Sequence, residues 1–166
     1  PEFLKHMKAY RNCGQSKPHY SIISSSVGRL HVLQALFLNH KWNHLSKVLQ
    51  HRRDIAKIYD DLFSNTLVSP QKVLSNSISS YFCYVVRVKD RERIIQDLES
   101  QGLPYTIQYR YLLHEQPFWN EIDHRVTEVK EAEQFQKEII SLPMNYSVTK
   151  EQALTYAEKF LKIVEK

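Results

Sequence analysis

The sequence predicts an α+β fold: a small mixed sheet of a few strands, covered by helices. Three observations carry that expectation. Apolar residues recur at helical spacing near both ends and through a long middle stretch. One run within residues 78–88, "YFCYVVRV", is β-branched and aromatic almost throughout. Between these segments stand clusters of turn formers that separate one element from the next.

Residues 2–11, "EFLKHMKAYR", place Phe3, Leu4, Met7 and Tyr10 on one helical face. The loop "NCGQSKPHYSIISSS" follows. From Arg29 to about Phe63 the pattern is helical again, with a break expected near "NHKWNH" at 39–44. Leu45, Val48, Leu49, Ile55, Tyr59 and Leu62 form its apolar stripe, and "HRRDIAKIYDD" its charged outer face.

Residues 65–77 read as irregular chain with one short strand. Residues 78–88 are the clearest strand, and their near-continuous apolar character places it centrally. Asp90 is the expected N-cap of a helix through "RERIIQDLES", and Gly102 stands where a left-handed C-terminal cap belongs. "LPYTIQYRYLL" (103–113) predicts a second, bent strand. A helix over about 127–140 stops at "SLP", because Pro143 disfavours helix in the residue before it. The last helix opens on "TKEQ", with Thr149 as N-cap and Gln152 at N3 of a capping box. These elements make one domain over 1–166, with helices and loop in 2–64 and the α/β part in 65–166.

A chain of 166 residues with 42% hydrophobic and 25% charged content can bury a real core. The net charge of +5 is diffuse: Lys and Arg alternate with 18 acidic residues, and the densest basic cluster is "HRR" at 51–53. That argues against nucleic acid as partner and suits an anionic small ligand equally well. Cys13 and Cys83 have neither the count nor the spacing of a disulfide framework or zinc site. No signal peptide is visible, and no apolar run approaches the roughly 20 residues of a membrane span. A cytoplasmic location without membrane attachment is the expectation.

Several chemistries can be weighed directly. His40 and His44 share a helix face at i, i+4, but Lys41 stands where a zinc protease needs its glutamate. No metal site is expected. No nucleophile elbow surrounds a serine, and three scattered glycines cannot make a phosphate loop. Asp60 and Asp61 read as solvated charges on a helix face. Two segments stand out. In "SSSVGRLHVLQALF" (24–37), Gly28 and Arg29 sit between a serine loop and a helix start, where backbone comes close to another group. In "YTIQYRYLLHEQPFW" (105–119), Tyr105, Tyr109, Tyr111, Arg110, His114 and Gln116 crowd one bent segment. Such a concentration either lines a pocket for a planar or sugar-like ligand or forms ordinary core and rim.

Six segments, in order, resemble the C-terminal part of the DegT/DnrJ/EryC1/StrS family of PLP-dependent nucleotide-sugar aminotransferases. "FLKHMKAYRNCGQSK" is similar to a family helix ending in an R-N-x-G turn, here Arg11, Asn12 and Gly14. "VGRLHVLQALFL" resembles the N-x-R-L…Q-A-A run through Arg29, Leu30, Gln34 and Ala35. "HRRDIAKIYDDLF" is similar to an R-R-x-I-A-x-x-Y helix, and "YFCYVVRVKDRERIIQDLESQGL" to the strand and helix re-entering the small domain. "YTIQYRYLLHEQPFW" resembles H-Y-x-x-x-L-H-x-Q-P, and "SLPMNYSVTKEQ" the final S-L-P-M…T-x-x-Q boundary.

The resemblance implies the small domain of a fold-type I PLP aminotransferase, acting on a nucleotide-linked 4-keto or 3-keto sugar with glutamate as the amino donor. It implies that Gly28 and Arg29 hold the cofactor phosphate across a dimer interface, and that Asn12, Tyr109 and His114 face the substrate. Two positions depart from the family pattern: Val27 replaces an asparagine, and Gln108 a histidine. Valine offers a phosphate no side-chain hydrogen bond. No lysine here sits in the context of the one that holds PLP, so the chain alone is expected not to transaminate and to need the large N-terminal domain. Two readings follow: a piece of such an aminotransferase, which the start at Pro1 and Glu2 directly into a family helix favours, or a non-catalytic binding or assembly module derived from it, which Val27 and Gln108 favour.

Overall fold

The structure is a computed structural model that describes residues 2–26, 28–123, 125 and 127–166. It divides into two compact units, Pro1–Ser46 and Lys47–Lys166. The long helix α2 (Val32–Phe63) contributes its first half to one and its second half to the other.

In the first unit, α1 (Glu2–Arg11) forms where the apolar spacing predicts. The chain then turns through Cys13 (φ 56°) and Gly14 (φ 74°), both left-handed, into a hairpin of β1 (Gln15–Lys17) and β2 (Tyr20–Ser21). This hairpin occupies a stretch the sequence reads as loop. Gly14 is obligatory: a Cβ there would lie 1.8 Å from the carbonyl oxygen of Ile23. Beyond the turn, α2 runs without the break expected at 39–44. No Pro or Gly interrupts it, and the modest helix penalties of Asn and His are too small to stop 32 residues.

The second unit holds the core. β3 (Ser69–Pro70), β4 (Tyr84–Arg87) and β5 (Ile139–Leu142) form a three-stranded sheet in the order β3-β4-β5. The central place of the "YVVR" run is as expected, and both pairings are antiparallel where a mixed sheet is expected. Register sets Val86 opposite Ile140 and Tyr84 opposite Leu142. Because side chains alternate across a strand, these four share one face. They pack with Tyr59 and Phe63 of α2, with Ile94 and Leu98 of α3 (Arg91–Ser100) and with Phe160 of α5 (Lys150–Val164). Tyr59 and Tyr84 meet with ring centroids 4.9 Å apart, and Tyr59 Oη donates to Pro143 O at 2.9 Å.

Four expectations need correction. The strand of 78–88 shrinks to Tyr84–Arg87, since Tyr81 is left-handed (φ 43°) and its N–H bonds Ser79 Oγ at 3.1 Å instead of a strand. The strand of 103–113 reduces to one bridge, Thr106 to Ser141. Pro104 lacks a donor and Tyr109 is left-handed (φ 52°), and 3-10 turns at Leu113–Glu115 and Pro117–Glu121 follow. The helix of 127–140 is α4 (Lys130–Glu138), and Ile139 and Ile140 leave it to enter the sheet as β5. Asp90 precedes α3 in a left-handed conformation (φ 55°) with no side-chain cap; its carboxylate pairs with Arg93 Nε at 3.3 Å. Gly102 takes φ 63° as expected, and the Thr149–Gln152 capping box forms with both bonds, 2.9 and 3.1 Å.

Candidate functional site

The sequence-predicted residues fall into two groups, one in each unit. In the first unit, Asn12, Gly28 and Arg29 converge on the C-terminal end of α1. Asn12 N–H bonds Ala9 O at 2.9 Å, holding the residue just past the helix. Arg29 Nη2 donates to Asn12 Oδ1, and Gly28 N–H donates to Arg11 O at 3.2 Å. Ser25 Oγ donates to Tyr10 O in the same region. The serine loop is therefore laced onto the end of α1, which presents a carbonyl-rich surface for such donors. Gly28 does approach backbone closely, but a Cβ would sit 3.4 Å from Arg11 Cα, an ordinary contact. Val27, one of the two departures from the family pattern, lies outside the described residues.

A cleft of about 1050 Å³ opens beside this junction, lined by α1, Asn12, the hairpin and Arg29. Among the described residues, Lys5, Lys8, Arg11 and Arg29 contribute four cations to its walls against the one carboxylate of Glu2, and His6 adds an imidazole. Such a surface attracts an anion. Among the described residues Arg29 gives one of its five donors to Asn12, which leaves the rest of the fork for a planar or tetrahedral oxyanion. Lys5 and Lys8 carried no functional assignment from the sequence. Their i, i+3 spacing, which sets both on one face of α1, is the signal the sequence carries.

In the second unit, Tyr109 and His114 flank the irregular segment after Thr106. Tyr109 is 77% exposed, and its left-handed backbone presents the phenol at the surface. Between Tyr109 and Phe135 of α4 lies a groove of about 840 Å³ that also reaches Gln108, Lys72 and Arg87. His114 Nε2 lies 3.6 Å from Glu133 Oε1, a pair that is ionic only when the imidazole is protonated. Gln136 Nε2 donates to Arg110 O at 2.5 Å, so α4 holds the segment at two points. On its other side α4 is tied to the sheet. Arg87 Nε donates to Glu138 Oε2 at 2.9 Å, and the guanidinium stacks 5.0 Å from the Phe135 ring. Hydrogen bonds from Gln134 and Arg87 hold the Glu138 carboxyl below its ordinary range. The role of α4 as a clamp on the 105–119 segment is not legible in the sequence, because it depends on where β5 begins.

His40 and His44 stand with ring centroids 5.0 Å apart on α2. Among the described residues no group of three or more His, Cys, Asp or Glu side chains could hold a metal ion. Among them, too, no helix is long and apolar enough to cross a membrane.

The model of the DegT/DnrJ/EryC1/StrS aminotransferase family matches residues 1–160. The chain is similar to the dTDP-3-amino-3,6-dideoxy-alpha-D-galactopyranose transaminase of Aneurinibacillus thermoaerophilus, 28% identical over 151 residues, covering 91% of this chain and 41% of that protein. It is also similar to a pleiotropic regulatory protein of Geobacillus stearothermophilus, 27% identical over 161 residues and covering 95% and 43%. Its fold matches that of DesV from S. venezuelae with a TM-score of 0.90 at 20% identity, covering 100% of this chain and 45% of that one. The chain thus spans about two fifths of the length of the curated relatives it matches.

Proposed function

The chain belongs to the DegT/DnrJ/EryC1/StrS aminotransferase family, and on that premise we propose that it is the C-terminal part of a PLP-dependent aminotransferase acting on a nucleotide-linked keto-sugar. The observation that carries the proposal is the cation-lined cleft at the end of α1, where Arg29 and Asn12 are bonded to each other. Family membership supports this reaction class, and the cleft offers a surface that suits an anionic ligand.

The residues present fit a phosphate group. Arg29 would hold it, with Lys5 and Lys8 adding charge and Asn12 orienting the guanidinium. Gly28 would serve by backbone placement alone, since its N–H is already given to Arg11 O. When bound, PLP supplies the electron sink that amino transfer requires. On this reading the lysine that shuttles the proton lies outside these 166 residues, and the chain alone does not transaminate. Tyr109 and His114 would contact the sugar nucleotide, and glutamate would be the amino donor. A cytoplasmic, homodimeric enzyme completes the proposal. The exposed apolar side chains of the first unit, among them Phe3, Leu4, Leu33, Phe37 and Trp42, support a covering partner, either the rest of the enzyme or a second subunit.

A non-catalytic binding or assembly module derived from this domain is the second reading. Gln108 in place of the family histidine favours it, as does similarity to a protein described as regulatory. The mass of the native polypeptide, followed by an assay of that polypeptide, separates the two. A longer product that carries a PLP-lysine segment and moves nitrogen from glutamate to a dTDP-keto-sugar, with loss of transfer in Arg29→Gln, supports the enzyme. A native product that shows no transfer overturns it in favour of the module.

A further inference from the structure

Helix α2 begins at Val32, so His31 is its N-cap residue, Leu33 its second helical position and Gln34 its third. The first intrahelical bond is in place: Ala35 N–H donates to His31 O at 3.0 Å. His31 also closes a reciprocal pair. Leu33 N–H donates to His31 Nδ1 at 3.2 Å, and His31 N–H donates to Gln34 Oε1 at 3.2 Å. This is the arrangement of a capping box, with an imidazole where serine or threonine ordinarily stands.

An imidazole titrates, and a hydroxyl does not. The neutral ring accepts at Nδ1 while its proton sits on Nε2, whereas the protonated ring is a donor at both nitrogens. Protonation therefore breaks the Leu33 bond. It also sets a positive charge at the positive end of the helix dipole, in a helix with no acidic residue in its first turn. The charged and titratable groups around it do not compensate. Helix α1 carries Lys5, His6, Lys8 and Arg11, the hairpin region Lys17 and His19, the connecting segment Arg29, and the first half of α2 His40, Lys41 and His44. Glu2 is the one carboxylate in the sequence of residues 1–46, and it lies roughly 14 Å along α1 from the end that meets Arg29. The His31 side chain is exposed, so its proton exchanges freely with solvent.

The cap anchors a segment that matters to the cleft. Arg29 and Leu30 line the cation-rich walls and directly precede His31. Upstream, Gly28 N–H on Arg11 O ties this segment to α1. Downstream, the bonds among His31, Leu33 and Gln34 tie it to α2. From this geometry we propose that His31 makes the start of α2 a pH-sensitive switch. The first turn is ordered while the imidazole is neutral and frays when it is protonated, and acid thereby releases Arg29 from its downstream anchor. The switch rests on the capping geometry and not on the aminotransferase reading, so a failed sugar-nucleotide assay would leave it untouched.

The test is NMR spectroscopy of the 166-residue chain from about pH 8 to about pH 5, the interval in which histidine side chains change charge. Expected is a fall in the helical Cα shifts of Val32, Leu33 and Gln34 toward acid. The ratio of ordered to frayed first turn should drop roughly fivefold, the effect of losing an N-cap side chain. The Arg29 amide should move with the same midpoint. The capping box of Thr149 and Gln152, whose members do not titrate, should keep its shifts. His31→Asn supplies a capping oxygen that does not titrate and should hold the first turn at both ends of the interval. A wild-type first turn that is equally helical at both ends overturns the switch. So does a pH dependence that survives in His31→Asn, because another group, such as His6 in the cleft, is then the one responding. An Arg29 amide that stays fixed while the first turn frays overturns the link to the cleft.

Discussion

Arg29 and Asn12 are joined side chain to side chain across the turn that ends α1, so the segment leading into α2 and the end of the first helix form one anion-facing surface. Neither residue acts independently there. The amide oxygen aims the guanidinium, and the guanidinium carries the charge.

That division of labour predicts unequal effects on anion binding. Arg29→Gln removes the charge-assisted donors and should weaken pyrophosphate binding roughly tenfold. Asn12→Ala leaves the charge but frees the side chain, and a loss of about threefold is expected. Calorimetric titration of the chain with pyrophosphate measures both. Equal losses would mean that Asn12 contacts the ligand itself.

The two glycines of this region should respond in opposite ways. Gly14→Ala needs a Cβ 1.8 Å from Ile23 O on a residue at φ 74°, so the turn must open, at a cost of about 1–3 kcal/mol. Gly28→Ala places its methyl 3.4 Å from Arg11 Cα and should cost little. The readout is hydrogen exchange at Ile22, whose N–H bonds Gly14 O at 2.8 Å. Exchange there should accelerate strongly in the first variant and hardly in the second.

Much of this architecture is legible in the chain, and the reasons for the gaps are physical. Helix α5 announces itself through Thr149 and Gln152, because a capping box is a local signal whose partners are three residues apart. Helix α3 is equally plain, although Asp90 does not cap it as expected. β5 is hidden because "EIISLP" continues a helical pattern, and only pairing with Tyr84–Arg87, more than fifty residues earlier, makes it a strand. The same non-local dependence conceals the candidate site. Asn12 and Arg29 can each be singled out by residue type, but their mutual bond requires the intervening hairpin to fold back.

The core supplies a stability prediction of its own. Tyr59 is fully buried, lies stacked near Phe63 and tilted against Tyr84, and spends its hydroxyl on Pro143 O. Burial raises its pKa, so the phenol stays neutral and donating throughout the ordinary range. Tyr59→Phe keeps the ring contacts and deletes one hydrogen bond, for an expected loss of about 1 kcal/mol. In a chain of this size that lowers Tm by roughly 2–4 °C. Tyr59→Ala removes the ring as well and should cost about 3–5 kcal/mol, as large aromatic truncations do. A thermal melt of the two variants separates the hydroxyl from the ring.

The clamp between α4 and the sheet should make stability fall in acid. Glu138 accepts from Gln134 Nε2 at 3.0 Å and from Arg87 Nε at 2.9 Å, and these bonds favour the ionised carboxylate. Its pKa in the folded chain is therefore below the ordinary value of 4.5. As pH falls, the unfolded chain takes up this proton first, so protonation pulls the equilibrium toward unfolding. The contribution of Glu138 is complete above pH 4.5 and is lost progressively as pH drops through the depressed folded value. Glu138→Gln cannot titrate and should flatten that part of the curve, while Arg87 keeps its stacking on Phe135. Urea unfolding of both forms at a series of acidic pH values gives the difference directly. If the difference does not change with pH, the bonds to Gln134 and Arg87 are not maintained in solution, and α4 is held by its apolar contacts alone.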